Sequence, residues 1–198
     1  MPKITDHRRA QRREQILTAA MACVAQEGFH RTTMADVITA SGLSAGAVYG
    51  YFTSKEDLIL ALADRAISSI EPVLAQLLHQ DQLPTIAEAV QKITEHVLEL
   101  SVAGTDLAPV AIAAWAEAAR NEQVRDAVAQ RLHTMRVHLT ELARELQRRG
   151  RLSPEVDAEA VGQAAAGMLP GFLLQQLIFG DVEPARYAAG LAAISGID

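Results

Sequence analysis

Four side chains in the first third of the chain have the chemistry to bind phosphate oxygens. Thr33, Tyr49 and Tyr51 carry hydroxyl groups, and Lys55 carries an ammonium group. Thr33 and Lys55 each stand at the predicted start of a helix, where unpaired backbone N–H groups also favour phosphate. Donors of this kind, grouped on short helices, predict a surface that binds a polyanion.

Short helices separated by a glycine turn must position these donors. A Thr-x-x-Asp start signal at Thr33 predicts a helix over 34–41. The run Gly42–Ser44 ends that helix, and its serine caps a second helix over 45–51. Helix, turn and helix form a helix-turn-helix unit at about 33–52, whose second helix can lie in a DNA major groove.

The same region resembles the TetR family of bacterial transcriptional regulators. The resemblance covers about residues 8–70 and is carried by the runs Gly28–Thr33, Ala35–Ser44, Gly46–Phe52 and Ser54–Leu58. It implies a DNA-binding domain over 8–70 and an effector-binding and dimerisation domain over 71–198. It also supports the four donors as contacts to the DNA backbone.

Base readout is expected at the start of the second helix of this unit. Small residues there let the backbone approach the groove floor. A serine can make one hydrogen bond and an alanine can touch a thymine methyl, but neither makes a bidentate pair with a base. Family members often carry a larger residue where Gly50 stands, so shape readout is expected to contribute to specificity. The predicted DNA-binding set is Thr33, Ser44, Ala45, Gly46, Ala47, Tyr49, Gly50, Tyr51 and Lys55.

Charge is distributed unevenly along the chain. The chain has a formal net charge of -6, yet residues 1–60 hold 7 Lys+Arg against 6 Asp+Glu. Two interpretations of the leading arginines stay open: a solvated helix start, or an N-terminal arm that lies along phosphates or in a minor groove. These arginines are Arg8, Arg9, Arg12 and Arg13.

Composition and periodicity predict an all-α fold of nine helices. Of 198 residues, 36 are alanine, and the apolar residues repeat at helical spacing without a strand pattern. The fourth helix is expected to run unbroken over 54–77, and Ser153-Pro154-Glu155 to start the eighth. The other segments are a first helix ending at Gly28 and helices over 86–100, 107–119, 124–146 and from 184 onward.

The eighth predicted helix is uncharged over 160–180. Its glutamines and Pro170 disfavour a membrane span, and we expect a helix covered by protein, kinked at the proline. The core of the same chain would cover one side of this helix, and a partner subunit would cover the other, through the eighth and ninth helices of each copy. The residues expected at this homodimer interface include Met168, Phe172, Leu173, Leu177 and Leu191.

The second domain offers candidates for binding a small-molecule effector but no catalytic site. No metal-binding spacing, cofactor loop or nucleophile with a partner base is evident, and Cys23 has no second cysteine to pair with. Few aromatic residues are available for a stacked ligand cage. The effector candidates, chosen by residue type, are Trp115, His133, Arg136, Met168, Phe172 and Gln175.

We therefore expect a homodimeric repressor that binds a pseudo-palindromic double-stranded DNA operator and is released by an unidentified small molecule. The leading sequence lacks the apolar core of a secretory signal, so a cytoplasmic location is expected. Two alternatives stay open: a transcriptional activator of the same family, or a helical small-molecule-binding protein with a vestigial helix-turn-helix.

Overall fold

The computed structural model describes residues 6–28, 31–68, 70–102, 105–106 and 108–195. Phe29, His30 and Leu107, which belong to segments used above, lie outside the described residues, as do residues 1–5. Within the described part of the chain the fold is all-α, as predicted. The elements are α1 (Asp6–Glu27), α2 (Met34–Ser41), α3 (Ala45–Tyr49), α4 (Lys55–Ser68), α5 (Ile70–Leu78), α6 (Ile86–Glu99), β1 (Ser101–Val102), β2 (Thr105–Asp106), α7 (Ala108–Ala118), α8 (Glu122–Arg148), α9 (Ala158–Phe179) and α10 (Pro184–Ser195).

The described elements differ from the sequence prediction in several places, of which three matter most. Among the described residues, the stretch predicted as one helix over 54–77 contains α4 and α5, and residue 69 between them lies outside the described part, so that ten helices are described where nine were predicted. Ser153-Pro154-Glu155 does not start a helix: α9 begins at Ala158, where the Asp157 side chain accepts a hydrogen bond from the Glu159 N–H at 2.9 Å. A two-residue antiparallel hairpin, β1–β2, also stands where no strand was expected.

Two hydrophobic cores lie along the molecule. The first joins α1 to α4 around Ile16, Met21, Val37, Val48 and Phe52, all of them buried. The second, and a smaller cluster beside it, fill the bundle from α5 to α10. Short helices such as α2 and α3 are unstable alone, so their packing on α1 and α4 is what holds them in place.

α8 and α9 pack in direct contact at Gly162. A Cβ atom built on Gly162 would stand 2.1 Å from Thr140 Oγ1 and 2.8 Å from the Thr140 backbone nitrogen. Only a residue without a side chain allows the two helices to come this close. α9 then continues as one helix through Pro170 to Phe179.

α10 folds back onto α9 through one aromatic residue. The Tyr187 hydroxyl donates a hydrogen bond to the Met168 carbonyl at 3.1 Å, and its ring meets Phe172 edge to face at 5.3 Å between centroids. Burial raises the pKa of the Tyr187 hydroxyl, which keeps it a donor at neutral pH. Among the described helices, none combines the length and the apolar character that crossing a membrane requires.

Candidate nucleic-acid interface

The turn between α2 and α3 has the geometry that the glycine predicted. Gly42 adopts φ +66°, a left-handed conformation that costs glycine least, and its N–H donates to the Thr39 carbonyl at 3.2 Å. Ser44 then caps α3, its side chain accepting the Ala47 N–H at 3.3 Å. These two caps fix where α3 begins and in which direction it leaves the turn.

One face of α3 is buried and the opposite face is open to solvent. Val48 is fully buried, and Phe52, which follows the helix, is buried beside it as a core residue. Tyr51 lies beyond the end of α3 and packs partly against the same core. The face left to solvent carries Ser44, Ala45, Gly46, Tyr49 and Gly50, while Ala47 is half-buried.

Thr33 and Lys55 are brought together, although they start different helices. Both line a small depression between α1, α2 and α4. The Thr33 side chain and the Asp36 carboxylate form a capping box, with 2.8 Å between the Thr33 nitrogen and Asp36 Oδ2. Hydrogen bonds from the Thr33 side chain, then from its backbone, lower the pKa of Asp36. The start of α2 is thereby held rigid next to the start of α4.

The leading arginines belong to α1. The helix begins at Asp6, so Arg8, Arg9, Arg12 and Arg13 are exposed residues of its first turns, as in the interpretation of a solvated helix start. The Arg13 guanidinium carbon lies 5.5 Å from the centroid of the Phe52 ring, a cation–π contact that ties α1 to the residue after α3.

Neighbouring residues of α4 form ion pairs in opposite directions. Arg65 pairs with Glu14 of α1, and Asp64 accepts a hydrogen bond from Nε of Arg131 in α8 at 2.6 Å. Burial, followed by repulsion from Arg13, lowers the pKa of the Arg65 guanidinium. α4 thus connects the first four helices to the larger bundle through charges as well as through its apolar face.

Comparison with known proteins identifies this arrangement. Residues 16–62 match the model of bacterial regulatory proteins of the tetR family, and residues 86–194 match the C-terminal model of BetI-type transcriptional repressors. The chain belongs to the TetR family. It is a helix-turn-helix transcriptional regulator, and α2 and α3 are the two helices of that motif.

Relatives of the TetR-family chain match nearly its full length. It is 29% identical over 192 residues to an uncharacterised HTH-type transcriptional regulator of Bacillus subtilis, YfiR, covering 96% of this chain and 91% of that protein. Its fold matches that of GusR from Salmonella enterica with a TM-score of 0.72 and 24% identity, covering 97% and 98% of the two chains. A transcriptional regulator of Saccharomonospora viridis, solved in complex with choline, matches with a TM-score of 0.74 and 20% identity, covering 93% and 95%.

The six effector candidates of this TetR-family chain do not converge on one site. His133 and Arg136 line a surface groove of 200 Å³ between α8 and α9. There a guanidinium nitrogen of Arg136 donates a hydrogen bond to Gln163 Oε1 at 3.3 Å. Met168 faces a separate apolar cleft. The remaining three are Trp115, half-buried with its indole nitrogen unpaired among the described residues, Phe172, fully buried, and Gln175, exposed.

The expected dimer residues divide into two groups. Phe172 and Leu173 are buried inside the single chain and offer almost no surface to a partner subunit. Met168 and Leu191 are half-buried, and Leu177 is exposed. Sequence reasoning missed the large apolar side chains that α9 and α10 do expose, namely Leu174, Ile178 at 63%, Phe179 at 67% and Ile194 at 88%.

Proposed function

We propose that the chain is a homodimeric repressor that binds a pseudo-palindromic operator through α2, α3 and the start of α4, and releases DNA when a small molecule binds. The observation that carries the proposal is the solvent-facing side of α3. Val48 anchors the opposite side in the core, so α3 is presented to a major groove on a fixed base.

Two kinds of contact to DNA are proposed. Tyr49, Tyr51 and Lys55 bind backbone phosphates, because their hydroxyl and ammonium groups donate hydrogen bonds to phosphate oxygens. Thr33, whose hydroxyl donates to Asp36 Oδ2 at 2.6 Å in the free chain, must turn this proton to a phosphate when DNA binds. The exposed residues Ser44, Ala45 and Gly46, with Ala47 and Gly50 beside them, approach base edges closely and read methyl groups and groove shape. The proposed phosphate contacts are supported by Thr33 and Lys55, because both residues line the same small depression.

The homodimer is proposed to form through α9 and α10. The exposed face of α9 is uncharged from Ala160 onward and ends in Leu174, Leu177 and Ile178, which a monomer would leave in water. Pairing these faces through a two-fold axis would set two α3 helices one DNA turn apart, about 34 Å, or a multiple of it.

The effector is not expected to be choline, despite the choline complex of the structural neighbour. A quaternary ammonium is usually held over the faces of several aromatic rings. In residues 71–198 the aromatic side chains are Trp115, Phe172, Phe179 and Tyr187. Phe172 is fully buried against Tyr187, whose hydroxyl is bonded to α9, and Phe179 points to solvent, so this set forms no cage.

The experiment that tests operator binding is selection of sites from random duplex DNA, followed by a salt titration on the selected sequence. A pseudo-palindrome with a log–log slope of roughly -5 to -9, for about six to ten neutralised phosphates, is expected. Lys55→Ala should reduce the slope by about one unit per subunit, whereas Lys92→Ala, in α6 of the effector domain, should leave it unchanged. Equal salt slopes for wild type and Lys55→Ala would show that the start of α4 does not contact DNA.

The alternatives predict other outcomes. An activator would bind the same kind of site, and a reporter whose transcription rises with the intact protein would identify it. A small-molecule-binding protein with a vestigial helix-turn-helix would select no sequence at all. Ligand release requires reciprocal coupling, so a bound effector must weaken DNA affinity by the same factor by which DNA weakens effector affinity.

A further inference from the structure

An apolar cleft of 160 Å³ lies where the start of α6 meets α9 and α10. α6 contributes its first turn, α9 contributes one face and α10 contributes Leu191. No charged residue lines it. The lining is Thr85, Ile86, Ala87, Val161, Ala164, Ala165, Met168 and Leu191.

The chemistry of this lining selects for an uncharged ligand. The hydroxyl oxygen of Thr85 already accepts the Glu88 N–H at 3.2 Å as the cap of α6, which leaves an almost entirely hydrocarbon surface. A charged group moved into such surroundings would lose its hydration without a partner. Apolar cavities of about 150 Å³ stay dry and accept a molecule the size of benzene.

α6 leads from this cleft toward the DNA-binding domain. Its 14 residues make a rod of about 21 Å. Ile86 lines the cleft at one end, and Leu100, which caps the other end, packs against both the core of α1–α4 and the core of the bundle. The chain then passes through β1–β2 to Val110 of α7, which is itself buried in the first core. A shift of α6 would therefore reach the helices that carry α3.

We propose that this cleft is the effector site, and that it takes a small, uncharged, apolar molecule about the size of one aromatic ring. The proposal rests on the proposed function above, because it assumes that DNA binding is regulated by a ligand. Occupation pushes the first turn of α6 away from α9, and Leu100 transmits the movement to the DNA-binding domain.

Fluorobenzene is a suitable probe, with binding to the full-length chain followed by ¹⁹F NMR. A Kd on the order of 0.1–1 mM is expected for a ligand of this size. Ala87→Phe places a ring in the cleft and should weaken binding at least about tenfold. The matched control is Ala129→Phe, at an exposed position of α8, which should bind like wild type. Unchanged binding by Ala87→Phe, or no binding by wild type, would overturn the site.

A second variant protects the test against misfolding of Ala87→Phe. Met168→Ala enlarges the cleft, so the ratio of 1-fluoronaphthalene to fluorobenzene affinity should rise several-fold, and an unchanged ratio would contradict the site. Binding of fluorobenzene only to a monomeric Leu177→Asp variant would assign the cleft to the subunit interface and also overturn the proposal.

DNA affinity separates failure of this inference from failure of the proposed function. Fluorobenzene at several times its Kd should weaken operator binding by wild type and by Ala129→Phe, and unaltered operator binding with the cleft occupied would refute the effector role. Specific DNA binding without any probe binding would refute the cleft alone. Absence of specific DNA binding by the unliganded protein would instead refute the repressor.

Discussion

Replacing Gly162 by alanine should force α8 and α9 apart. The new Cβ would meet the Thr140 backbone nitrogen at 2.8 Å and the Arg136 carbonyl at 3.0 Å, and ordinary contact begins at 3.4 Å, so the helices must separate by about 0.6 Å. Overpacking of this kind costs about 1–3 kcal/mol, and a gap of 0.5–1 Å also forfeits a quarter to a half of the dispersion energy of nearby atom pairs. Alanine recovers about 1 kcal/mol of helix propensity.

Subtracting the gain in helix propensity from the middle of the overpacking range leaves a net loss of about 1 kcal/mol, or about 2–4 °C in Tm for a chain of this length. Thermal and urea unfolding at fixed protein concentration measure it. Thr140→Ala combined with Gly162→Ala removes the Oγ1 clash but not the backbone clash, so it should recover only part of the loss. The matched control is Gly167→Ala, where a Cβ meets nothing within 4 Å in the single chain and no such loss is expected. A Gly162→Ala protein as stable as wild type would refute the close packing inferred here.

Three further outcomes follow from the described residues. Asp36→Asn should make the free energy of unfolding depend less on pH under acidic conditions. The pKa of Asp36 is lowered in the folded chain, so its bonds to Thr33 stabilise the fold above the unfolded pKa, and this stability is lost as the pH falls through the folded pKa. Urea midpoints measured between about pH 5 and pH 2 would show the difference. Leu177→Asp should convert the proposed dimer to monomers in sedimentation analysis, because it places a charge on the exposed apolar face of α9, whereas Val156→Asp, also exposed but in the turn before α9, should not. Cys23 should react with a thiol reagent more slowly than free cysteine at pH 8, since burial raises its pKa, and equal rates would contradict its packing on the first core.

The sequence was enough to predict the bounds of a helix where residues of the same segment cap both of its ends. α2 occupies Met34–Ser41 as predicted, because the capping box at Thr33 and the left-handed Gly42 each satisfy backbone groups of the same segment. The start of α1 was left open in the sequence analysis for the opposite reason. Its first turns are charged and exposed, so no apolar repeat marks them.

The apolar repeat could not predict where residues of one helical face pass from the first hydrophobic core to the second. Leu62, Ile70, Leu74 and Leu77 continue at helical spacing from α4 into α5, yet Leu62 is buried in the first core and Ile70 in the second. The pattern contains no information on which core receives each residue. The change from the first core to the second was therefore beyond sequence reasoning.

The effector and dimer candidates are spread over different surroundings for one physical reason. α9 is apolar around most of its circumference, so composition alone could not separate Phe172, which faces the core, from Ile178, which faces solvent. Trp115, His133 and Gln175 were chosen by type and lie in three different places. By contrast, Thr33 and Lys55 did come together, because each is fixed at a helix start on the same small scaffold.

The two ion pairs of α4, formed by neighbouring residues in opposite directions, give ionic strength two separate effects on this protein. In the proposed DNA complex, salt competes with Lys55 and its neighbours for phosphate. It also screens the Arg65–Glu14 pair, which joins α4 to α1, and the Asp64–Arg131 pair, which joins α4 to α8; the side chains of both pairs are partly open to solvent. The stiffness of this joint, and with it the proposed coupling between ligand and operator, is thus tied to the same variable as the proposed DNA affinity.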